Sequence, residues 1–346
     1  MKRSFFLFSS ILVTVLLGAC SDSSPMGTPE APAASPSTQA SAAVSAPPQR
    51  IVLVGWDAEQ RENVMNLLER GDLPTLKRLS AQGTIVPMTV TGVTDTKAGW
   101  TQILTGLNPE ATGVYMNLCY SAIPEGYTVF DRLEEYFGAD NVVTAAAIGM
   151  NGNLTNQKPT RELPAAALPQ DCASGQPAEM TPQELRAVRG GLFQRTRIDV
   201  FAHGLQDEAV CALATGLLEQ HKDERLFLFV HFQAIDKAGH EYGRNSAQYD
   251  DALRSVDALT GRILDKIDGL GLGANSLVYV TADHGFDEGQ KTHSNAPNVF
   301  LATNDRSVVH GGSRADVAAT ILDRFGLDIT RLEPPLSGTP LSQPSE

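Results

Sequence analysis

The segment Leu277-Val-Tyr-Val-Thr281-Ala-Asp283-His284-Gly285 decides the fold. Leu277 to Thr281 has the length and branched content of a strand buried on both faces, and a carboxylate and an imidazole follow it at once. Gly285 permits a sharp backbone turn, so the adjacent acid and imidazole can address a single cation. Two more runs repeat the pattern: Ile51 to Trp56 leads into Asp57, and Leu226 to Phe232 precedes Asp236. Val142 to Ile148 is a further buried strand, and Thr84 to Val90 reads as extended. Helical stretches lie between them at Gln60 to Glu69, Pro74 to Gln82, Ala247 to Ile267 and Ala315 to Phe325. This alternation predicts an α/β fold with a doubly wound, mostly parallel sheet between helices. Such sheets bind ligands outside the carboxyl ends of their strands, where Asp57, Asp236 and Asp283 all fall. Three carboxylates at one sheet edge repel one another unless cations sit among them.

Asp236-Lys-Ala-Gly-His240-Glu-Tyr-Gly243 strengthens that expectation, because an acid and a histidine four apart share one side of a helical turn. His231, inside a strand, reads as a packed core histidine, and His310 as a weaker ligand candidate than His293.

The ends are of a different kind. Lys2 and Arg3 precede an apolar run from Ser4 to Leu17 that is too short for a stable bilayer anchor, so residues 1–19 read as a signal peptide. Leu17-Gly18-Ala19-Cys20 resembles the lipobox of bacterial lipoproteins, which implies acylation of Cys20. Residues 20–49 are dominated by Ser, Pro, Ala, Thr and Gly and read as a disordered tether. The chain is therefore expected in the bacterial cell envelope, anchored by its N-terminal lipid and facing the periplasm. With no Asp directly after Cys20, the outer membrane is favoured.

The remainder, 50–336, is long enough for one large α/β domain, with 337–346 left as a tail. Residues 151–197, polar and rich in Pro, Gln and Glu, are expected as an inserted cap. Removal of the signal moves the formal charge from −13 to −15, which argues against a nucleic acid polymer but not against a small anion held by cations. Cys119, Cys172 and Cys211 allow a disulfide between Cys172 and either of the others. The sequence leaves the oligomeric state open.

The stretch from Thr96 through Thr105-Gly106 to Asn117 resembles the alkaline phosphatase superfamily, in particular its nucleotide pyrophosphatase/phosphodiesterase branch. In that branch the nucleophilic Thr stands ten residues before the Gly of a Thr-Gly pair, as Thr96 does before Gly106. Asn117 matches the Asn that helps bind a non-bridging phosphoryl oxygen. Lys291-Thr-His293-Ser-Asn-Ala-Pro resembles the last metal-binding histidine of cofactor-independent phosphoglycerate mutases, which share this core. The resemblance implies two divalent cations, zinc with manganese as second choice. Asp236, His240 and His293 would hold one, and Asp57, Thr96, Asp283 and His284 the other. Two such cations, about 4 Å apart, clamp the attacking and leaving oxygens of an in-line displacement. The implied reaction is hydrolysis of a small anionic phosphoester through a covalent phospho-Thr96 intermediate, most simply as a phosphodiesterase or nucleotide pyrophosphatase. A phosphomonoesterase is the alternative, with Lys97, Lys158 and Arg161 available for a third phosphoryl oxygen; a catalytically silent metal-binding envelope lipoprotein is another. Gly99 and Trp100 replace the Asn-His usual after the nucleophile, and Lys97 and Trp100 are expected at the substrate. Thr96 cannot be converted to formylglycine and no Arg stands at position 100, so a sulfatase fits poorly.

Overall fold

The computed structural model describes residues 47–160 and 181–342. The signal peptide, Cys20 and nearly all of the tether lie outside the described residues, as do Arg161 and Cys172. The strands are β1 (Arg50–Trp56), β2 (Thr84–Thr89), β3 (Val114–Met116), β4 (Cys119–Tyr120), β5 (Val143–Ile148), β6 (Val200–Ala202), β7 (Leu226–Phe232), β8 (Ser276–Thr281), β9 (Asn298–Thr303) and β10 (Gly312–Ser313). The α-helices are α1 (Arg61–Arg70), α2 (Pro74–Gln82), α3 (Thr96–Thr105), α4 (Pro109–Thr112), α5 (Val129–Phe137), α6 (Pro182–Arg189), α7 (Asp207–Gln220), α8 (Ala234–Tyr242), α9 (Ala247–Gly269) and α10 (Arg314–Arg324).

Among the described residues eight strands form one sheet in the order β10-β2-β9-β8-β1-β7-β5-β6, while β3 and β4 make a separate hairpin. The centre is parallel as expected: β1 pairs with β7 and β8, and β5 with β7 and β6. Strand β9 runs antiparallel to both of its neighbours. Every residue of β1 and β7 is buried, which follows from helices covering both faces. One face packs Ile51, Leu53, Phe227, Phe229 and Tyr279 under α3, α5 and α10; the other packs Val52, Val54, Leu228 and Val280 under α7 and α9.

Both ends of the domain extend beyond their expected limits. Gln49 already exchanges backbone hydrogen bonds with Asn275 and Leu226. The expected tail packs on the body, since Leu341 is fully buried and donates its N–H to Thr320. The insertion is likewise rooted in the core rather than resting on the sheet edge alone: Leu154, Leu192 and Phe193 join the cluster that contains Trp100 and Phe229. Cys119 is disulfide-bonded, whereas Cys211 is a free buried thiol. No helix among the described residues is long and apolar enough to cross a membrane.

Candidate metal centre

Register places the acids together. Gly55 of β1 lies between His231 of β7 and Thr281 of β8, so the three parallel strands end side by side and release Asp57, the Asp236 turn and Asp283 at one edge. Asp57 donates its N–H to the Phe232 carbonyl, prolonging the ladder by one residue. The chain then turns through Ala58 with a φ of 62°, a left-handed conformation that costs energy for any residue but glycine. Two contacts hold it there: Ala58 N–H donates to Asp283 Oδ1 at 3.2 Å, and its carbonyl accepts from the Tyr249 hydroxyl at 2.7 Å.

Asp57, Asp283 and His284, all fully buried, bring one ligand atom each within 4.8 Å of one another, and Asp236, His240 and His293 do the same in a more open position. The two clusters meet where the His284 and His293 rings stack, with centroids 4.0 Å apart. Thr96 opens α3 directly above the buried cluster, its Oγ1 3.4 Å from His284 Nε2. The structure thus brings Thr96 and these six side chains together at one sheet edge.

Hydrogen bonds at Nδ1 orient two of the candidate histidine ligands. His284 Nδ1 lies 3.0 Å from the Gly285 carbonyl and His240 Nδ1 3.0 Å from that of Lys291, so each ring donates from Nδ1 and turns Nε2 inward. Asp57 Oδ1 and Asp283 Oδ2 are buried without a hydrogen-bond partner among the described residues, whereas Asp236 Oδ1 lies 3.3 Å from His240 Nε2. Unpaired buried carboxylate oxygens are costly, and these two lie 3.8 and 3.4 Å from His284 Nε2. Burial, followed by the charges of Asp283 and Asp236, pushes Asp57 well above the usual carboxylate range. Burial also lifts Asp283 to about 7, with the charge of Asp236 adding to the effect. Burial lowers His284 and His293, keeping both rings neutral. The neutral His284 and His293 rings, with the Asp57 and Asp283 carboxylates in want of positive charge, suit divalent cations, while the hydrogen bond with Asp236 raises His240.

Several supporting residues escaped the sequence reading. His231 is a core histidine, but its Nε2 stands 2.7 Å from Asp57 Oδ2 and fixes that carboxylate. Burial drives its pKa to about 3, so the ring is a neutral N–H donor. Donors that hold a metal-ligating carboxylate in place typically change metal affinity by about 10- to 100-fold. Replacing His231 with Phe is accordingly expected to weaken binding in the Asp57 cluster by roughly that factor, as read by competition with a chromophoric chelator. Binding equal to that of the unaltered protein would remove His231 from this role. Arg314, also buried, donates to the carbonyls of Asp283, Thr91 and Val93, tying the loop before α3 to the Asp283 strand end. Asp95 accepts the Asn117 N–H at 2.8 Å, and Asp207 accepts from both Gln233 and Ala234 to start α8.

Trp100 requires a correction. It is fully buried beneath β1, where a Cβ on Gly55 would sit 2.3 Å from its ring, and its Nε1 lies 3.4 Å from Asp57 Oδ2. The indole thus positions a ligand and cannot touch substrate. Gly99 is needed beside it, since a Cβ there would come within 2.6 Å of Asp283 Cβ. Lys97 is buried, and Asn117 is held with its Oδ1 on the Lys97 N–H at 2.9 Å, leaving its amide group unengaged among the described residues. Lys158 is exposed, and His310 bonds only to the neighbouring Gly311 carbonyl.

Residues 52–335 match the model of the type I phosphodiesterase / nucleotide pyrophosphatase family. The chain belongs to this family. Among curated relatives, mouse ectonucleotide pyrophosphatase/phosphodiesterase family member 1 is 27% identical over 106 residues, 30% of this chain and 12% of that protein. Rat steryl-sulfatase is 35% identical over 77 residues, 21% of this chain and 13% of that one. The chain thus spans about an eighth of the length of these two relatives. Solved structures share the fold: an alkaline phosphatase superfamily protein from Vibrio parahaemolyticus has a TM-score of 0.56 at 16% identity, covering 87% of this chain and 72% of that one. The lipoteichoic acid synthase LtaP from Listeria monocytogenes gives 0.53 at 15% identity, covering 84% and 75%.

Proposed function

We propose that this family member hydrolyses small anionic phosphoesters as a two-metal phosphodiesterase or nucleotide pyrophosphatase, with Thr96 as nucleophile. The observation that carries the reading is the juxtaposition of Thr96 Oγ1 with two adjoining Asp/His groups, the buried one with unpartnered oxygens on Asp57 and Asp283. Asp57, Asp283 and His284 would hold one divalent cation and Asp236, His240 and His293 the other, zinc by ligand chemistry and manganese as second choice. When bound, such cations acidify a hydroxyl and neutralise phosphoryl charge. Thr96 attacks phosphorus, the P–O bond to the leaving alcohol breaks, and a phospho-Thr96 remains for water to cleave. The Asn117 amide, beside the start of α3, donates to a non-bridging phosphoryl oxygen. We extend the proposal to location: the Leu17–Cys20 stretch supports a lipid-anchored envelope protein facing the periplasm.

The direct test is hydrolysis of bis(p-nitrophenyl) phosphate before and after chelation. Turnover should vanish on metal removal and return with zinc. A chelated protein that keeps full activity would overturn the two-metal reading.

A further inference from the structure

Three cations gather at one end of the candidate site, two of them from the insertion. The Lys97 ammonium donates to the Asn117 carbonyl at 3.1 Å and to Asn153 Oδ1 at 2.9 Å, and lies 4.4 Å from the centre of the Tyr120 ring. Arg189 stands 5.6 Å from the same ring centre and donates to the Tyr120 carbonyl. Arg186, one turn earlier on α6, packs against Gly152, where a Cβ would meet its Nη1 at 2.8 Å. Its half-buried guanidinium makes no hydrogen bond or ion pair among the described residues. Asn153, which accepts the Lys97 ammonium, directly follows Gly152, so the segment that receives Lys97 is the one against which Arg186 packs. Asp95 accepts the Asn117 N–H. Positive charges brought together on partly desolvated side chains are stable when an anion joins them.

We infer that Lys97, Arg186 and Arg189 form an anion subsite beside Asn117, which recognises one negative charge more than a simple phosphodiester carries. The inference rests on the reading that phosphoesters react at Thr96. Its geometric basis is independent of the metal ligands: Lys97 and Asn117 share two hydrogen bonds, so whatever reaches the Asn117 amide comes close to the cation cluster. The extra charge is the third oxygen of a monoester, or an acidic group on the second ester arm of a diester. The insertion would then select substrates by charge, whereas the Asp/His groups act on phosphorus alone.

The test uses zinc-loaded full-length protein and Arg186→Gln, with Arg186→Lys as the charge-keeping control. Three probes are compared: p-nitrophenyl phosphate, methyl p-nitrophenyl phosphate, and a p-nitrophenyl diester whose second arm bears a carboxylate. For Arg186→Gln the kcat/KM ratio of a doubly charged probe to the methyl diester should fall about tenfold, the worth of one charge-assisted hydrogen bond. Which of the two doubly charged probes loses more identifies the source of the charge. Arg186→Lys should retain most of the preference. Isothermal titration with inorganic phosphate should show binding weakened by a similar factor, and this reading does not depend on turnover. Equal losses on all three probes, or a ratio and phosphate affinity within twofold of the unaltered protein, would overturn the subsite. Failure of the unaltered protein to cleave any ester would instead strike the proposed function, leaving the phosphate titration to decide the subsite.

Discussion

Thr96→Ala is expected to lower phosphoester turnover by roughly four orders of magnitude or more, the scale on which removal of a covalent nucleophile acts. The substitution removes one hydroxyl from a fully helical position at the start of α3, where every residue of the helix is buried. Alanine favours helix more than threonine does, so the fold should persist. The distinguishing readout is the covalent intermediate. Rapid quench with a slow diester should trap one phosphate per chain in the unaltered protein and none in the variant. Thr96→Ser keeps an attacking oxygen and should retain part of the activity and the trapped phosphate. An alanine variant with near-normal turnover would show that water attacks directly and would reassign Thr96 to the scaffold.

The sequence was readable where chemistry and periodicity coincide. The short branched runs that precede Asp57, Asp236 and Asp283 lie within one residue of the observed strand limits, because a strand buried on both faces leaves little choice of residue. The candidate ligand groups were readable for a related reason: an i,i+4 Asp-His pair on α8 and an adjacent Asp-His pair after β8 are local patterns. What stayed hidden depends on contacts between distant segments. Strand β9 is antiparallel and follows Pro297, so neither its length nor its direction is written in its own six residues. His231 and Trp100 reach Asp57 from β7 and α3, which no spacing rule connects. Trp100 is expected at the substrate from its place after Thr96, whereas the absence of a side chain at Gly55 opens the space that buries it. Arg186 lies 89 residues from Lys97 in the chain, and only the packing of the insertion joins them. Candidate ligands are thus legible as motifs, while the residues that hold them in place are defined by packing.

The second large effect concerns stability without metal. Asp283 titrates near 7 in the folded protein because burial, and then the charge of Asp236, disfavour its ionised form, against a value near 4 when unfolded. A carboxyl raised by folding gives its full support below the unfolded pKa and loses it as pH climbs toward the folded one. Asp57 is shifted in the same direction. The metal-free domain should therefore lose stability between about pH 4 and pH 7, by a few kcal/mol for a shift of this size. Asp283→Asn keeps an acceptor for the Ala58 N–H and removes the charge, so its metal-free form should melt higher than the unaltered protein at pH 8 and vary less with pH. With zinc present the order should reverse, since a cation needs the carboxylate that the variant lacks and metal binding adds to folding free energy. Melting curves of both proteins in chelator and in zinc, from pH 5 to pH 8, make the comparison. Parallel pH profiles in chelator, or an unchanged order on adding zinc, would mean that Asp283 is not the acid whose charge the site must neutralise. The crossover is the more telling outcome, because a carboxylate that destabilises the empty fold and stabilises the loaded one is retained for the ion and not for the architecture.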